Sequence, residues 1–188
     1  MKNAALQPPS EPAKRLFIGL MPGREVQAAI QQHCRLWVWP SGCKPTSPER
    51  LHLTLHFLGN LDAAREKALK NALLDVPVEP LELVLQIPRV LRNEVAILQP
   101  QEHAGLRALR QRLGSALACI GMAFPQHWKP HVTLARKAAR AVAPEAPPRI
   151  PWRVTEFVLV WSKLSQPPCY EVLARYRRAA VRGVSSRN

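Results

Sequence analysis

Two histidine–threonine pairs stand out in the 188-residue sequence: His52 and Thr54 in RLHLTLHFLG (50–59), and His131 and Thr133 in KPHVTLAR (129–136). Each pair is separated by one aliphatic residue, the spacing that puts both side chains on one face of a β-strand. Imidazole titrates near neutrality, so one histidine can accept a proton while the other donates one. Hydroxyls donate hydrogen bonds to anionic oxygens. Two such strands facing each other would offer a base for water, an acid for a leaving oxygen, and donors for phosphoryl oxygens. That is the equipment for in-line displacement at phosphorus. No cofactor or metal is called for, and the nearby carboxylates Glu49 and Asp62 make no obvious magnesium set.

A single pair on a half-exposed strand would read as polar residues facing water. The repetition changes that reading. The chain has six histidines and four threonines, and two of the four threonines lie two places after a histidine. A helix, then a loop, precedes each motif, as expected of a weak internal duplication with two lobes about a pseudo-twofold axis.

The rest of the chain must position these strands. RLFIGLM (15–21) reads as a buried strand, and REVQAAIQQHCRLWVW (24–39) has helical spacing from Val26 through Ile30 to Leu36. PSGCKPTSPE (40–49) reads as a loop. Residues 61–76 form an amphipathic helix with Asp62 as N-cap. LELVLQI (81–87) and EVAILQP (94–100) are strands, and 102–121 is a helix with Leu106, Leu109, Leu113 and Leu117 on its apolar stripe. A strand starts at His131, 138–151 is a loop, and WRVTEFVLVWSKL (152–164) turns through SQPP into CYEVLARYRR (169–178) as a hairpin. The order is roughly βαβαββαβββ, an α+β chain. Residues 1–13 read as a disordered leader, 14–178 as one bilobal domain and 179–188 as a basic tail.

Lys and Arg number 27 against 13 Asp and Glu, a formal net charge of +14. Such a field attracts polyanions, nucleic acid above all. No apolar run approaches the roughly 18 residues that cross a bilayer, so no membrane is expected. The four cysteines form no CxxC pair, which points to reduced thiols in a cytoplasmic protein.

With RLFIGL, LHLTLHFLG, KPHVTLAR and VTEFVLVWSKL…YEVL in this order, the chain from about Arg15 to Arg178 resembles the 2H phosphoesterase superfamily. Within it, the chain is most similar to the bacterial RNA 2′,3′-cyclic phosphodiesterases, also called 2′-5′ RNA ligases (LigT-like). The resemblance implies a bilobal α+β fold, two pseudo-symmetric lobes of antiparallel strands with flanking helices around a central cleft. It implies opening of RNA 2′,3′-cyclic phosphate ends, tRNA fragments among the candidates, to 2′-phosphomonoesters by a monomer, with 2′-5′ ligation as the reverse reaction. His52 would be the proton donor and His131 the acceptor, with Thr54, Thr133 and Arg136 on the phosphate and Phe57 stacking on the base. Phe57 and Arg136 are out of phase with the His/Thr face, so a bulge or strand end must redirect them, or Phe57 is core. His56, in phase with His52, is expected at the cleft edge, and His33, His103 and His127 as unpaired surface or helix residues. The alternatives are a phosphodiesterase acting on small cyclic nucleotides or 2′-5′ oligonucleotides, and a non-catalytic RNA-binding module.

Overall fold

The computed structural model describes residues 12–163 and 169–177. Most of the leader, the SQPP turn and the basic tail lie outside the described residues. Nine strands form one antiparallel sheet: β1 (Lys14–Leu20), β2 (Lys44–Pro45), β3 (Leu53–Leu61), β4 (Leu81–Val90), β5 (Ala96–Pro100), β6 (Val132–Arg136), β7 (Ile150–Val154), β8 (Glu156–Ser162) and β9 (Tyr170–Arg177). Their order is β7-β4-β5-β6-β3-β1-β8-β9, with β2 beside β6. The sheet curls into a half-barrel with three helices, α1 (Arg24–Cys34), α2 (Ala63–Leu74) and α3 (Ala104–Cys119).

The sheet is two four-stranded halves joined at a seam. One half is β3-β1-β8-β9 and the other β6-β5-β4-β7, so each half begins with a motif strand. A single backbone pair crosses the seam, Leu53 opposite Val132. These are the middle residues of His-Leu-Thr and His-Val-Thr, so the pseudo-twofold axis passes between them. Both are fully buried, as are Leu16, Ile18, Leu85, Leu98, Leu113 and Phe157 of the core around them. Burying one such side chain contributes roughly 1.5–3 kcal/mol, which fixes both motif strands from behind.

Sequence expectations hold for the helices with one correction. Asp62 caps α2, accepting from the Arg65 amide at 2.8 Å, and Leu106, Leu109, Leu113 and Leu117 of α3 are all buried. Helix α1, however, stops at Cys34 instead of reaching Trp39. Its expected apolar residue Leu36 is 65% exposed, and Val38 forms an isolated bridge with Val142.

The segment 152–164 is not one strand. Residues 150–154 alternate buried and exposed against β4, whereas Phe157 to Val160 are all buried between β1 and β9. Thr155 is the crossing point where the chain passes from one half-sheet to the other. The β8–β9 hairpin pairing is as expected. Lys44–Pro45, read as loop, forms the short strand β2, which takes the edge of β6 that β3 has left free.

Candidate active site

The antiparallel seam sets the chemistry. Because Leu53 faces Val132, His52 lies on the Thr133 side and His131 on the Thr54 side, with cross-strand Cα spacing of roughly 5 Å. All four line one cleft of about 400 Å³, together with Arg136 and Phe57.

Both histidines are held alike. His52 Nδ1 lies 2.7 Å from the Arg50 carbonyl, and His131 Nδ1 lies 2.7 Å from the Lys129 carbonyl. A carbonyl oxygen only accepts, so each Nδ1 carries the proton and donates it two residues upstream. This fixes each ring and leaves Nε2 outside that bond, as the nitrogen that could accept or give a proton.

The parity difficulty is resolved by two bulges. Along β3, Gly19 pairs with Thr54 and Ile18 with His56, leaving Leu55 without a partner in β1. Along β6, Ile97 pairs with Thr133 and Ala96 with Ala135, leaving Leu134 without a partner in β5. Each extra residue reverses the side-chain alternation. Both motif strands therefore share the burial sequence buried, half-buried, buried, buried, exposed from their first residues, Leu53 and Val132. Phe57 and Arg136 are the two exposed residues that end it, and the bulges return them to the cleft. Phe57 is 46% exposed, not core.

The same bulge overturns the expectation for His56. Instead of sharing the cleft face with His52, it is 2% exposed on the opposite face. Its Nε2–H donates to the Arg110 carbonyl at 2.8 Å, and its ring meets Phe124 edge-on at 4.8 Å. Burial lowers its pKa, the Arg110 carbonyl opposes this, and the Arg110 charge adds to it. His33 lies on a helix as expected, in the last turn of α1, but it is buried and paired: its Nε2 accepts from Trp37 Nε1–H at 3.0 Å. His103 caps α3 through Nδ1, accepting from the Leu106 amide, while His127 is exposed.

Several lining residues were not anticipated: Arg15, Phe17, Thr46, Arg50, Ser162 and Tyr170. Phe17 and Tyr170 wall the His52 ring, with centroids at 4.7 and 5.2 Å. The Arg15 guanidinium lies over Phe57 at 4.8 Å, and that of Arg50 over Tyr170 at 5.4 Å. Phe17 was detectable in principle, since it alternates with Leu16 and Ile18 in a strand whose other face is core. Tyr170 and Arg50 carry no local signal, because the hairpin and seam that bring them to the cleft are tertiary.

The walls desolvate His52. Burial is the main cause that lowers its pKa below 6.5, the Arg50 carbonyl raises it, and His131, Arg50 and Arg136 lower it further. The cleft lining contains three arginines and no Asp or Glu. Among the described residues, none of Arg15, Arg50 and Arg136 is ion-paired with a carboxylate. An uncompensated cluster of this kind binds an anion, and guanidinium groups suit phosphate oxygens.

Comparison with known proteins agrees with this geometry. The chain is 34% identical to the RNA 2′,3′-cyclic phosphodiesterase of Escherichia coli (strain K12) over 164 residues, covering 84% of this chain and 91% of that protein. It is 32% identical to the RNA 2′,3′-cyclic phosphodiesterase of Thermus thermophilus over 181 residues, covering 86% and 89%. A crystal structure of E. coli LigT complexed with 3′-AMP superposes with a TM-score of 0.77 at 29% identity, covering 89% of this chain and 99% of that one. The family model described as the 2′-5′ RNA ligase superfamily matches residues 23–166. With that match, and with both His-x-Thr motifs meeting across one seam, the chain belongs to the 2′-5′ RNA ligase superfamily, whose fold is that of the 2H phosphoesterases.

Proposed function

We propose that this protein hydrolyses the 2′,3′-cyclic phosphodiester end of RNA to a 2′-phosphomonoester. The observation that carries the reading is the matched pair of imidazoles, each fixed through Nδ1–H, aimed with free Nε2 atoms into a cleft with three unpaired arginines and no carboxylate. Relatives named for the same activity support the choice of substrate.

In this reading Thr54, Thr133 and Arg136 hold the phosphoryl oxygens. His131 Nε2 takes a proton from water as its oxygen bonds to phosphorus. His52 Nε2–H gives its proton to O3′ as the P–O3′ bond breaks, which leaves a free 3′-hydroxyl and the phosphate on O2′. Phe57 offers its face to the terminal base. A phosphodiester anion beside His52 favours the protonated ring, opposing the burial and the facing cations that lower its pKa. With a 5′-hydroxyl in place of water, the same forward steps join the 2′,3′-cyclic end to it through a 2′-5′ linkage: His131 takes the hydroxyl proton and His52 protonates the departing O3′.

The test is incubation of the protein in chelator with an oligonucleotide ending in a 2′,3′-cyclic phosphate, followed by separation of the products. A 2′-phosphate is expected. A 3′-phosphate would reverse the roles of the histidines, and unchanged substrate from pH 5 to 8 would sink the reading. Small cyclic mononucleotides are expected to react more slowly than the oligomer, given the basic surface.

A further inference from the structure

His56 repeats the histidine spacing of the motif but sits on the wrong face for catalysis, and its counterpart in the second motif is Ala135. What it contacts suggests its purpose. The two catalytic strands share only the Leu53–Val132 pair, and one backbone pair leaves their relative position free to tilt.

A second set of contacts closes behind the seam. The indole Nε1–H of Trp128 donates to the Thr54 carbonyl at 2.9 Å. Trp128 immediately precedes Lys129, whose carbonyl holds Nδ1 of His131. Its ring lies under the Arg110 guanidinium at 5.1 Å, and Arg110 Nη2 donates to the Pro125 carbonyl at 2.6 Å in the same loop. The Arg110 carbonyl in turn accepts from His56 Nε2–H at 2.8 Å. The contacts form a closed ring: β3 at Thr54, the loop at Trp128, helix α3 at Arg110, and β3 again at His56.

We infer that Trp128 and His56 are positioning residues that set the separation of the two catalytic imidazoles by bracing β3, through Arg110, to the loop that delivers His131. The inference rests on the functional reading above for its kinetic consequences, but not for its structural ones. Thr54, the anchor of the brace, lines the cleft and gives its carbonyl to the indole. His56 keeps Nε2–H for the Arg110 carbonyl, and its Nδ1 is buried without a partner. Arg110 cannot be replaced in this role by a strand neighbour, because α3 packs across the back of β3 and the loop alike.

A misplacement near 1 Å between reacting groups can lower turnover about 10²-fold. Trp128→Phe removes one N–H and keeps a ring for Arg110. It is expected to lower kcat on the cyclic-phosphate oligonucleotide by about tenfold or more, with a smaller change in KM, since Thr133 and Arg136 stay together on β6. His56→Leu is expected to do the same, and His56→Gln, whose amide N–H reaches where Nε2–H does, to restore most of the loss. The second readout is the titration of His52 by NMR, its signal assigned from its absence in His52→Ala. Tyr170 packs against the His52 ring and Arg15 lines the same cleft, while His131, Arg50 and Arg136 are the charges that lower its pKa; separating His131 from it relieves part of that repulsion. The His52 titration in folded Trp128→Phe is therefore expected to move up from the wild-type position. A general loss of stability would leave it where it is. A folded Trp128→Phe protein with kcat within twofold of wild type, or with an unmoved His52 titration, overturns the brace. A wild-type protein inert on the oligonucleotide would overturn the functional reading alone, because the titration test needs no turnover.

Discussion

Leu55 and Leu134 occupy the same place in two different strands, each the fourth residue of its motif and each squeezed out of its ladder. Both are buried, at 1% and 2% exposure. Their side chains fill the core where the bulge bends the strand, so the bend and the aim of the next cleft residue depend on them. Leu134→Ala is expected to cost about 2–5 kcal/mol by urea denaturation. It should also weaken phosphate binding more than an equally destabilising change on α2, since Arg136 follows the bulge.

His52→Ala and His131→Ala should each lower kcat by at least about 10²-fold, the usual loss for a missing general acid or base. The double variant should be little worse than either single one, because the two groups act in the same displacement. Single-turnover kinetics on the cyclic-phosphate oligonucleotide reads both. A residue that only bound RNA would change affinity and leave the single-turnover rate at saturation intact.

Sulfate, which stays a dianion across the useful range, probes the charge of His52. Its pKa in the free protein is lowered by burial between Phe17 and Tyr170 and by the facing cations. An anion in the cleft favours the imidazolium, so binding takes up a proton. Sulfate affinity should therefore rise as pH falls through the bound-state pKa, and level off below the free-state pKa, which lies under 6.5. Calorimetry in buffers of different ionisation heat measures the proton uptake, and His52→Ala should reduce it.

Arg136 ends the second motif strand in the cleft with no carboxylate partner among the described residues. Arg136→Gln is expected to lower kcat/KM about 10–100-fold, the loss of a charge-assisted contact of roughly 1.5–3 kcal/mol. Its effect on binding should shrink as salt rises, and the slope of log affinity against log salt should fall by about one. Fluorescence anisotropy with a labelled oligonucleotide at several salt concentrations follows both.

Much of the site was readable because its chemistry repeats locally. His52, Thr54, His131 and Thr133 sit within two short motifs, and strand periodicity alone put each pair on one face. Phe57 and Arg136 were assignable only through family resemblance, because a bulge reverses periodicity and leaves no mark in residue type. His56 was misplaced for the same reason: strict alternation sends it to the cleft, while the bulge at Leu55 sends it to Arg110. The crossing at Thr155 was hidden inside one stretch of strand-forming residues, WRVTEFVLVWSKL, where composition cannot tell one long strand from two that belong to different half-sheets. Arg50 and Tyr170 meet only after β8 and β9 have paired, so no window of sequence contains their contact.

The position of β1 has a consequence for how the chain is made. It sits between β3, which follows soon after it, and β8, where Leu16 meets Trp161 and Gly19 meets Val158. On the ribosome, the half-sheet that carries the first motif must wait with one apolar edge open until β8 has emerged, long after β1 and β3. Non-local pairing of this kind is slow and exposed to association with other chains. Strands β8 and β9, made after both motifs, therefore complete the first motif's half of the cleft, and a chain cut short before β8 carries both motifs without a finished site.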